Sequence, residues 1–338
     1  RRGGVQDRVG GVLMPHLLVA GKLHPSGLDL LQQARDVTFD YVEEISESSY
    51  QAHLPKADGM VIRTQPLGAA SIAKAPGLRI VSRHGVGYDA VDVPALNARG
   101  IPLCIVGDVN SSGVAEHAMM LILAATHRLI AADKATRSGD WGWRNGLQTH
   151  EVAGKRLLIV GFGRIGQKLA GMAKAFGMEV HAHDPYIPAD RWPDLALREP
   201  DLAVALVRAD AVSLHLPRAE RAVIGPAELA LMKPTAVVVN TARGGLVDET
   251  ALADALRAGR LGGAGIEVFA AEPPGADHPL FALDRAVLTP HNAGLSLECA
   301  ERMAIASVQN VLDFFAGKLD PALVVNAAAI GGLKEPAK

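Results

Sequence analysis

The stretch "GKRLLIVGFGRIGQKLAGMAKAFG", Gly154–Gly177, decides the reading of this chain. Leu157–Val160 is a short apolar run of the kind that forms a buried strand. Gly161, Gly163 and Gly166 then make a G-x-G-x-x-G loop, and Leu169, Met172, Ala173 and Phe176 recur at helical spacing. The triplet alone is weak; its place between a strand and a helix gives it weight. Gly161 permits the tight turn, Gly163 lets backbone approach a pyrophosphate, and Gly166 lets the helix pack close to the strand. The helix N-terminus then offers free N–H groups and partial positive charge to phosphates.

The next strand-like run, "EVHAHD", ends at Asp184, 18 positions after Gly166. A carboxylate at about 20 positions accepts hydrogen bonds from ribose hydroxyls and repels a 2′-phosphate. Pro185 and Tyr186 follow, with no arginine directly after the acid. The reading is therefore NAD and not NADP. Downstream, "ADAVSLHLP", "TAVVVNTARGG", "GAGIEVF" and "AVLTPHNAG" continue a series of short strands closed by Gly, Pro, Asp or Asn. Alternation with helices predicts a parallel sheet, whose ligands lie beyond the strands' carboxyl ends.

Ionisable residues stand at three of those ends. Arg243 lies in the glycine-flanked turn of "NTARGGLVDETAL", before a helix that Asp248 can cap. Glu272 follows the strand in "GIEVFAAEPP", and His291 follows the one in "LTPHNAG". Reduction of a 2-oxo acid by hydride needs a cation for the substrate carboxylate, which a guanidinium supplies bidentately. It needs a proton donor near neutral pH, which imidazole supplies, and a carboxylate to orient that imidazole and support its cation. Arg243, His291 and Glu272 match these roles as a set; singly, each is also an ordinary loop or surface residue.

Working outward, "HLLVAG" (16–21), "GMVIRT" (59–64) and "LRIVSRHG" (78–85) are further apolar runs ending in polar or glycine residues. Between the first two, "PSGLDLLQQA" (25–34) has helical spacing with Ser26 as N-cap. This first array reads as a second parallel sheet, with Arg63 and the "RHGVG" turn (83–87) at its strand ends. Val114–Ala132 is the longest apolar stretch; Glu116, His117, His127 and Arg128 interrupt it, so it reads as one buried helix and not a membrane span. A closing helix is expected from about Ser296 to Ala316.

The 338 residues exceed one ordinary core, and 49% hydrophobic with 21% charged residues describes a globular chain. A net charge of −2 gives no footprint for nucleic acid or an anionic membrane. Cys104 and Cys299 form no metal-binding or disulfide pattern and accord with a reducing cytoplasm. Residues 1–13 read as an upstream extension or fusion scar, with Met14 as the native start; no long apolar run follows Arg1–Arg2 to make an export signal.

Taken together, Gly161–Gly166, "TARGGLVDE", "GIEVFAAEPP" and "LTPHNAG" resemble, in order and spacing, the D-isomer-specific 2-hydroxyacid dehydrogenases, from about His16 to Asn326. The resemblance implies two doubly wound α/β domains: a Rossmann NAD-binding domain (111–296) inserted into a discontinuous, flavodoxin-like substrate domain (14–110 and 297–330). It implies Arg243 as carboxylate anchor, His291 as acid/base and Glu272 as its partner. Cofactor contacts fall on Gly161, Gly163, Arg164, Ile165, Gly166, Asp184, His215, Pro217, Thr241 and Glu267. Substrate contacts fall on the loop near Val86 and Gly87, with Arg63, Arg83 and His84 available to a phosphate, closer to phosphoglycerate dehydrogenases than to glyoxylate or hydroxypyruvate reductases. A cytoplasmic homodimer joined through the nucleotide domains, with a cleft that closes on substrate and no resident metal, is also implied.

The chain departs from that pattern in places. Glu267 stands where the family more often has an Asp against the nicotinamide amide, so the longer side chain shifts the ring or re-angles. The loop "LPRAERAVIG" is shorter than usual, and Asn292 replaces an apolar residue after His291. The regulatory domain of longer phosphoglycerate dehydrogenases is not expected. Two other readings compete: a non-enzymatic NAD-sensing interaction protein, and oxidation of a small anion such as formate or phosphite.

Overall fold

The computed structural model describes residues 8–9, 12–44 and 46–332. Most of the expected 1–13 extension lies outside those residues; the rest is a short antiparallel ladder, β1 (Arg8–Val9) with β2 (Val12–Leu13). The chain divides into two compact units, one running to Asn110 and resuming at Leu295, the other Ser111–Gly294.

The first unit is a five-stranded parallel sheet of β3 (His16–Ala20), β4 (Thr38–Val42), β5 (Gly59–Ile62), β6 (Ile80–Arg83) and β7 (Leu103–Cys104) in the order β4-β3-β5-β6-β7. That is the flavodoxin-like order, with its switch point between β3 and β5. Its central strands are apolar on both sides because helices cover both faces. Leu18, Met60 and Val81 belong to one core cluster, and Leu17, Val19, Val61 and Ile80 to the other. The closing helix, Leu297–Phe315, packs Ala304, Val308 and Val311 into the second cluster, with Ser296 as its N-cap. The first helix runs Pro25–Gln33, but its N-cap is His24, whose ring nitrogen accepts from the Ser26 amide at 3.4 Å. Ser26 lies inside the first turn instead of capping it.

The second unit is a seven-stranded parallel sheet: β8 (Arg156–Val160), β9 (Glu179–His183), β10 (Leu197–Arg198), β11 (Ala211–Leu214), β12 (Val237–Asn240), β13 (Gly263–Ile266) and β14 (Ala286–Leu288). Their order, β10-β9-β8-β11-β12-β13-β14, is the Rossmann order, reversing direction between β8 and β11. β10 is a two-residue exposed edge strand that the sequence pattern does not announce. The apolar stretch expected to be one helix is two, Ser111–Thr126 and Leu129–Arg137, bent by 59°. The break falls at Arg128, whose backbone is left-handed at φ 50°. The first of these helices lies hard against the sheet: a Cβ on Gly265 would come within 2.7 Å of Leu121 Cβ. No single helix among the described residues is long and apolar enough to cross a membrane.

Candidate active site

Strand register assembles the site. Val160 pairs with His183 and Leu214, Leu214 with Asn240, Asn240 with Ile266, and Ile266 with Leu288. These residues form one row across six of the seven strands, all but β10. The next residue of each strand therefore stands at its carboxyl edge: Asp184, Gly161, His215, Thr241, Glu267 and Thr289. Backbone hydrogen bonds carry the ladder into that edge, from Gly161 N to His183 O at 2.9 Å and from His215 N to Val160 O at 2.8 Å. Five of the expected cofactor residues, Asp184, Gly161, His215, Thr241 and Glu267, are thus brought together by register.

The glycine loop is tight at two of its glycines and open at the third. A Cβ on Gly161 (φ +91°) would sit 2.5 Å from the His215 carbonyl oxygen, and one on Gly166 would sit 2.5 Å from the Gly161 oxygen. Gly163, by contrast, has nothing within 4 Å of its Cβ position, and it and Arg164 are exposed. Gly163 caps the helix Arg164–Ala175, whose first turn includes Ile165. Asp184 is tied to the loop: Phe162 N donates to its Oδ2 at 2.9 Å and Tyr186 N to its Oδ1 at 3.0 Å. Each oxygen keeps a second lone pair for a ribose hydroxyl.

Two polar atoms at this edge are shielded yet unpartnered, His215 Nδ1 and Thr241 Oγ1. Such orphans ask for a partner that the chain itself does not supply. His215 Nε2 pairs with Ser213 Oγ at 2.9 Å, and burial pushes the imidazole pKa down to about 3, so the ring is neutral. Pro217, two residues on, is exposed. An open glycine cradle, a helix N-terminus, a tethered carboxylate and two orphaned atoms fit a dinucleotide.

The three residues expected to react, Arg243, Glu272 and His291, lie on the turns after β12, β13 and β14. His291 Nδ1 is 2.7 Å from Glu272 Oε2, with the imidazole side chain 55% exposed, so the ring has a face left for a substrate. Glu272 Oε1 accepts from Phe269 N at 3.0 Å. Burial raises the Glu272 pKa, but the His291 and Phe269 hydrogen bonds and the charges of His291 and Arg243 outweigh it, and the net shift is downward. Arg243 therefore acts electrostatically on the same carboxylate. Its turn is set by Asn240, whose Nδ2 donates to Arg243 O at 2.8 Å, and by Arg243 Nη1 donating to Ala242 O at 2.7 Å. Gly244 makes the approach possible: a Cβ there would fall 1.8 Å from the Phe269 oxygen. Asp248 caps the following helix as the sequence predicts.

The Glu272 loop is fastened by a pair that sequence reasoning missed. Glu249 Oε1 accepts from Ala270 N at 2.7 Å, and its Oε2 meets His278 Nε2 at 2.8 Å. His278 lies edge-on to Phe269, centroids 5.3 Å apart. Only the fold makes this pair visible, because Glu249 and His278 are far apart in sequence.

Glu267 stands at the sheet edge with its carboxylate engaged by the protein itself. Its side chain is 0% exposed, and its carboxylate takes Thr289 Oγ1 and His117 Nε2 (3.2 Å) on one oxygen and Ala293 N on the other. Burial raises its pKa, but these donors prevail and it is lowered. The additional methylene carries the carboxylate past the edge into the protein. His117 is the third missed residue; its signal was an imidazole inside an apolar helix.

In the first unit, Arg83 pairs with Ile62 across β5 and β6, so Arg63 and His84 follow side by side at the carboxyl edge. Arg63 Nη1 donates to Lys22 O at 3.2 Å and Arg83 Nη1 to His84 O at 2.8 Å. His84 is buried with Nε2 unpartnered; burial, then the charges of Arg63 and Arg83, push its pKa down to about 3. It is a neutral residue beneath two guanidiniums, and adds no charge for a phosphate. Val86 and Gly87 follow in a half-exposed turn, and Gly85 there has φ +144°.

Comparison with known proteins shows the family. The family profile described as D-isomer specific 2-hydroxyacid dehydrogenase, NAD binding domain, matches residues 119–293. The chain belongs to the D-isomer specific 2-hydroxyacid dehydrogenase family. It is 36% identical to a glyoxylate reductase of Aeropyrum pernix, covering 92% of this chain and 96% of that one. It is 39% identical to a D-3-phosphoglycerate dehydrogenase of Mycobacterium bovis, covering 94% of this chain but only 60% of that longer protein. A crystal structure of the TT0316 protein from Thermus thermophilus superposes with a TM-score of 0.83 at 34% identity, covering 90% and 98% of the two chains.

Proposed function

We propose that this chain is an NAD-dependent D-2-hydroxyacid dehydrogenase that also works as a 2-oxoacid reductase. The observation that carries the proposal is the 2.7 Å contact between His291 Nδ1 and Glu272 Oε2, under the charge of Arg243 and beside the glycine loop's sheet edge. NAD(H), when bound, supplies or accepts the hydride. Arg243 holds the substrate carboxylate. His291 gives the carbonyl oxygen its proton in reduction and takes it back in oxidation. Since Nδ1 is engaged by Glu272, Nε2 is the nitrogen for that transfer, and Glu272 supports the ring when it is cationic. Asp184 and the exposed Gly163–Arg164 turn hold the dinucleotide, and the Asp184 charge favours NAD over its 2′-phosphorylated form.

For the substrate, Arg63 and Arg83, whose charges both act on His84, support a phosphorylated acid, as in D-3-phosphoglycerate dehydrogenases. Glyoxylate or hydroxypyruvate is the alternative. The test is kcat/KM with NADH for phosphohydroxypyruvate, hydroxypyruvate and glyoxylate. A preference of about tenfold or more for the phosphorylated acid, erased by Arg63→Ala or Arg83→Ala, supports the reading; tenfold corresponds to about 1.4 kcal/mol. Equal rates on all three, unchanged by either substitution, reject it. An intact dyad disfavours a purely NAD-sensing role, since sensing needs no oriented imidazole.

A homodimer in the cytoplasm completes the proposal. Met120, Leu129, Ile130, Trp141 and Phe176, each 43–67% exposed, are apolar residues of the second unit left uncovered by the chain itself. Apolar surface of this kind marks association sites. Cys104 and Cys299 are both buried and unpaired, in keeping with a reducing compartment.

A further inference from the structure

We infer that Glu267 is a positioning residue for His291: with His117 and Thr289 it forms a buried strut that sets the turn on which the proton-transferring imidazole stands. The inference rests on the dehydrogenase reading above.

The geometry is specific. Glu267 is the first residue beyond β13, and Thr289 the first beyond β14, so register places them side by side. The Glu267 backbone carbonyl accepts from His291 N at 3.0 Å, while its carboxylate accepts from Ala293 N. One residue thus grips the turn on both sides of His291. The grip is needed because His291 itself sits at φ 51°, a left-handed conformation that a non-glycine residue holds only when its surroundings impose it. The carboxylate is anchored at its other oxygen by Thr289 Oγ1 and by His117 Nε2, which also lies 2.9 Å from Thr289 Oγ1. His117 reaches in from the helix Ser111–Thr126, fixed on the sheet by Leu121. The strut therefore couples the His291 turn to the packed core.

An aspartate is one methylene shorter. It cannot span from Ala293 N to His117 and Thr289 while keeping its backbone in the β13 ladder. A glutamine spans the distance but has one acceptor oxygen, and turns an N–H₂ toward donors. Both changes free the His291 turn.

The test uses Glu267→Asp, Glu267→Gln and Thr289→Val, with turnover, NADH affinity by fluorescence titration, and the histidine 15N spectrum. The His291 resonance is assigned by its loss in His291→Ala. We expect kcat at saturating NADH to fall about tenfold or more in the two Glu267 variants and less in Thr289→Val, with NADH Kd within about twofold, and the His291 resonance to move toward that of a free imidazole. A weakened NADH Kd with kcat intact would make Glu267 a cofactor contact and overturn the inference. So would an unchanged His291 resonance. The spectrum reads the turn directly, so it judges the strut even if the wild-type chain turns over no 2-oxo acid, which would refute the dehydrogenase reading instead.

Discussion

Two glycines only two positions apart should fail in opposite ways when replaced by alanine. Gly161→Ala places a methyl 2.5 Å from the His215 carbonyl oxygen and 2.8 Å from its carbon, at φ +91°. Left-handed backbone costs an L-residue about 1–2 kcal/mol. Overpacking against a backbone carbonyl adds about 1–3 kcal/mol. The expected loss of stability is roughly 2–5 kcal/mol, a fall in Tm of roughly 5–20 °C for a unit of this size. Gly163→Ala meets no atom within 4 Å, and its φ of −77° suits alanine. Its stability should change by less than about 0.5 kcal/mol. Its methyl, however, fills the space through which a pyrophosphate approaches the helix N-terminus, so NADH affinity should drop about tenfold or more, about 1.4 kcal/mol. Differential scanning fluorimetry and NADH fluorescence titration on both variants decide the matter. A stable Gly161→Ala, or a Gly163→Ala that binds NADH as the wild type does, would refute the assignment of the loop.

Other consequences are as specific. Asp184→Asn removes the charge that repels a 2′-phosphate, and the ratio of kcat/KM for NADPH over NADH should rise about tenfold or more; no change would remove Asp184 from cofactor choice. His278→Ala releases the Glu249 clamp on the Glu272 loop, and kcat should fall several-fold with NADH Kd unchanged, read by steady-state kinetics and titration. Asp210 has its pKa raised by burial but lowered more by Arg156 N and Lys233. Its folded pKa thus lies below its unfolded one, so its stabilising contribution is complete above about pH 4 and is lost as pH falls through the folded value. The urea stabilities of wild type and Asp210→Asn should differ at about pH 7 and converge in acid. Met120→Glu with Phe176→Glu should convert the proposed dimer to monomer by light scattering.

What the sequence discloses here is what local chemistry decides. The glycine loop, Asp184 and the Asp248 cap depend on residues within one strand–turn–helix unit, and all three stand where the spacing puts them. Arg243, Glu272 and His291 were legible as strand-end residues, because a parallel sheet must deliver its strand ends to one edge. The misreadings depend on contacts distant in sequence or on backbone geometry. His24 captures the helix cap because its ring also pairs with Ser26 Oγ at 2.8 Å, leaving Ser26 inside the first turn. The break at Arg128 is a backbone event hidden in a continuous apolar pattern. The protein partners of Glu267 are equally hidden in the sequence, since only the fold brings His117, Thr289 and Ala293 N to its carboxylate.

The central claim, hydride delivery to a 2-oxo carbon with His291 supplying the proton, is tested most directly by single-turnover reaction of enzyme with NADH deuterated at C4 and a 2-oxo acid, in wild type and His291→Ala. The wild type should place deuterium at C2 of a D-configured hydroxy acid, and the variant should react about 10²–10⁴-fold more slowly with NADH still bound. An unlabelled or L-configured product, or a variant that transfers deuterium at the wild-type rate, would contradict it.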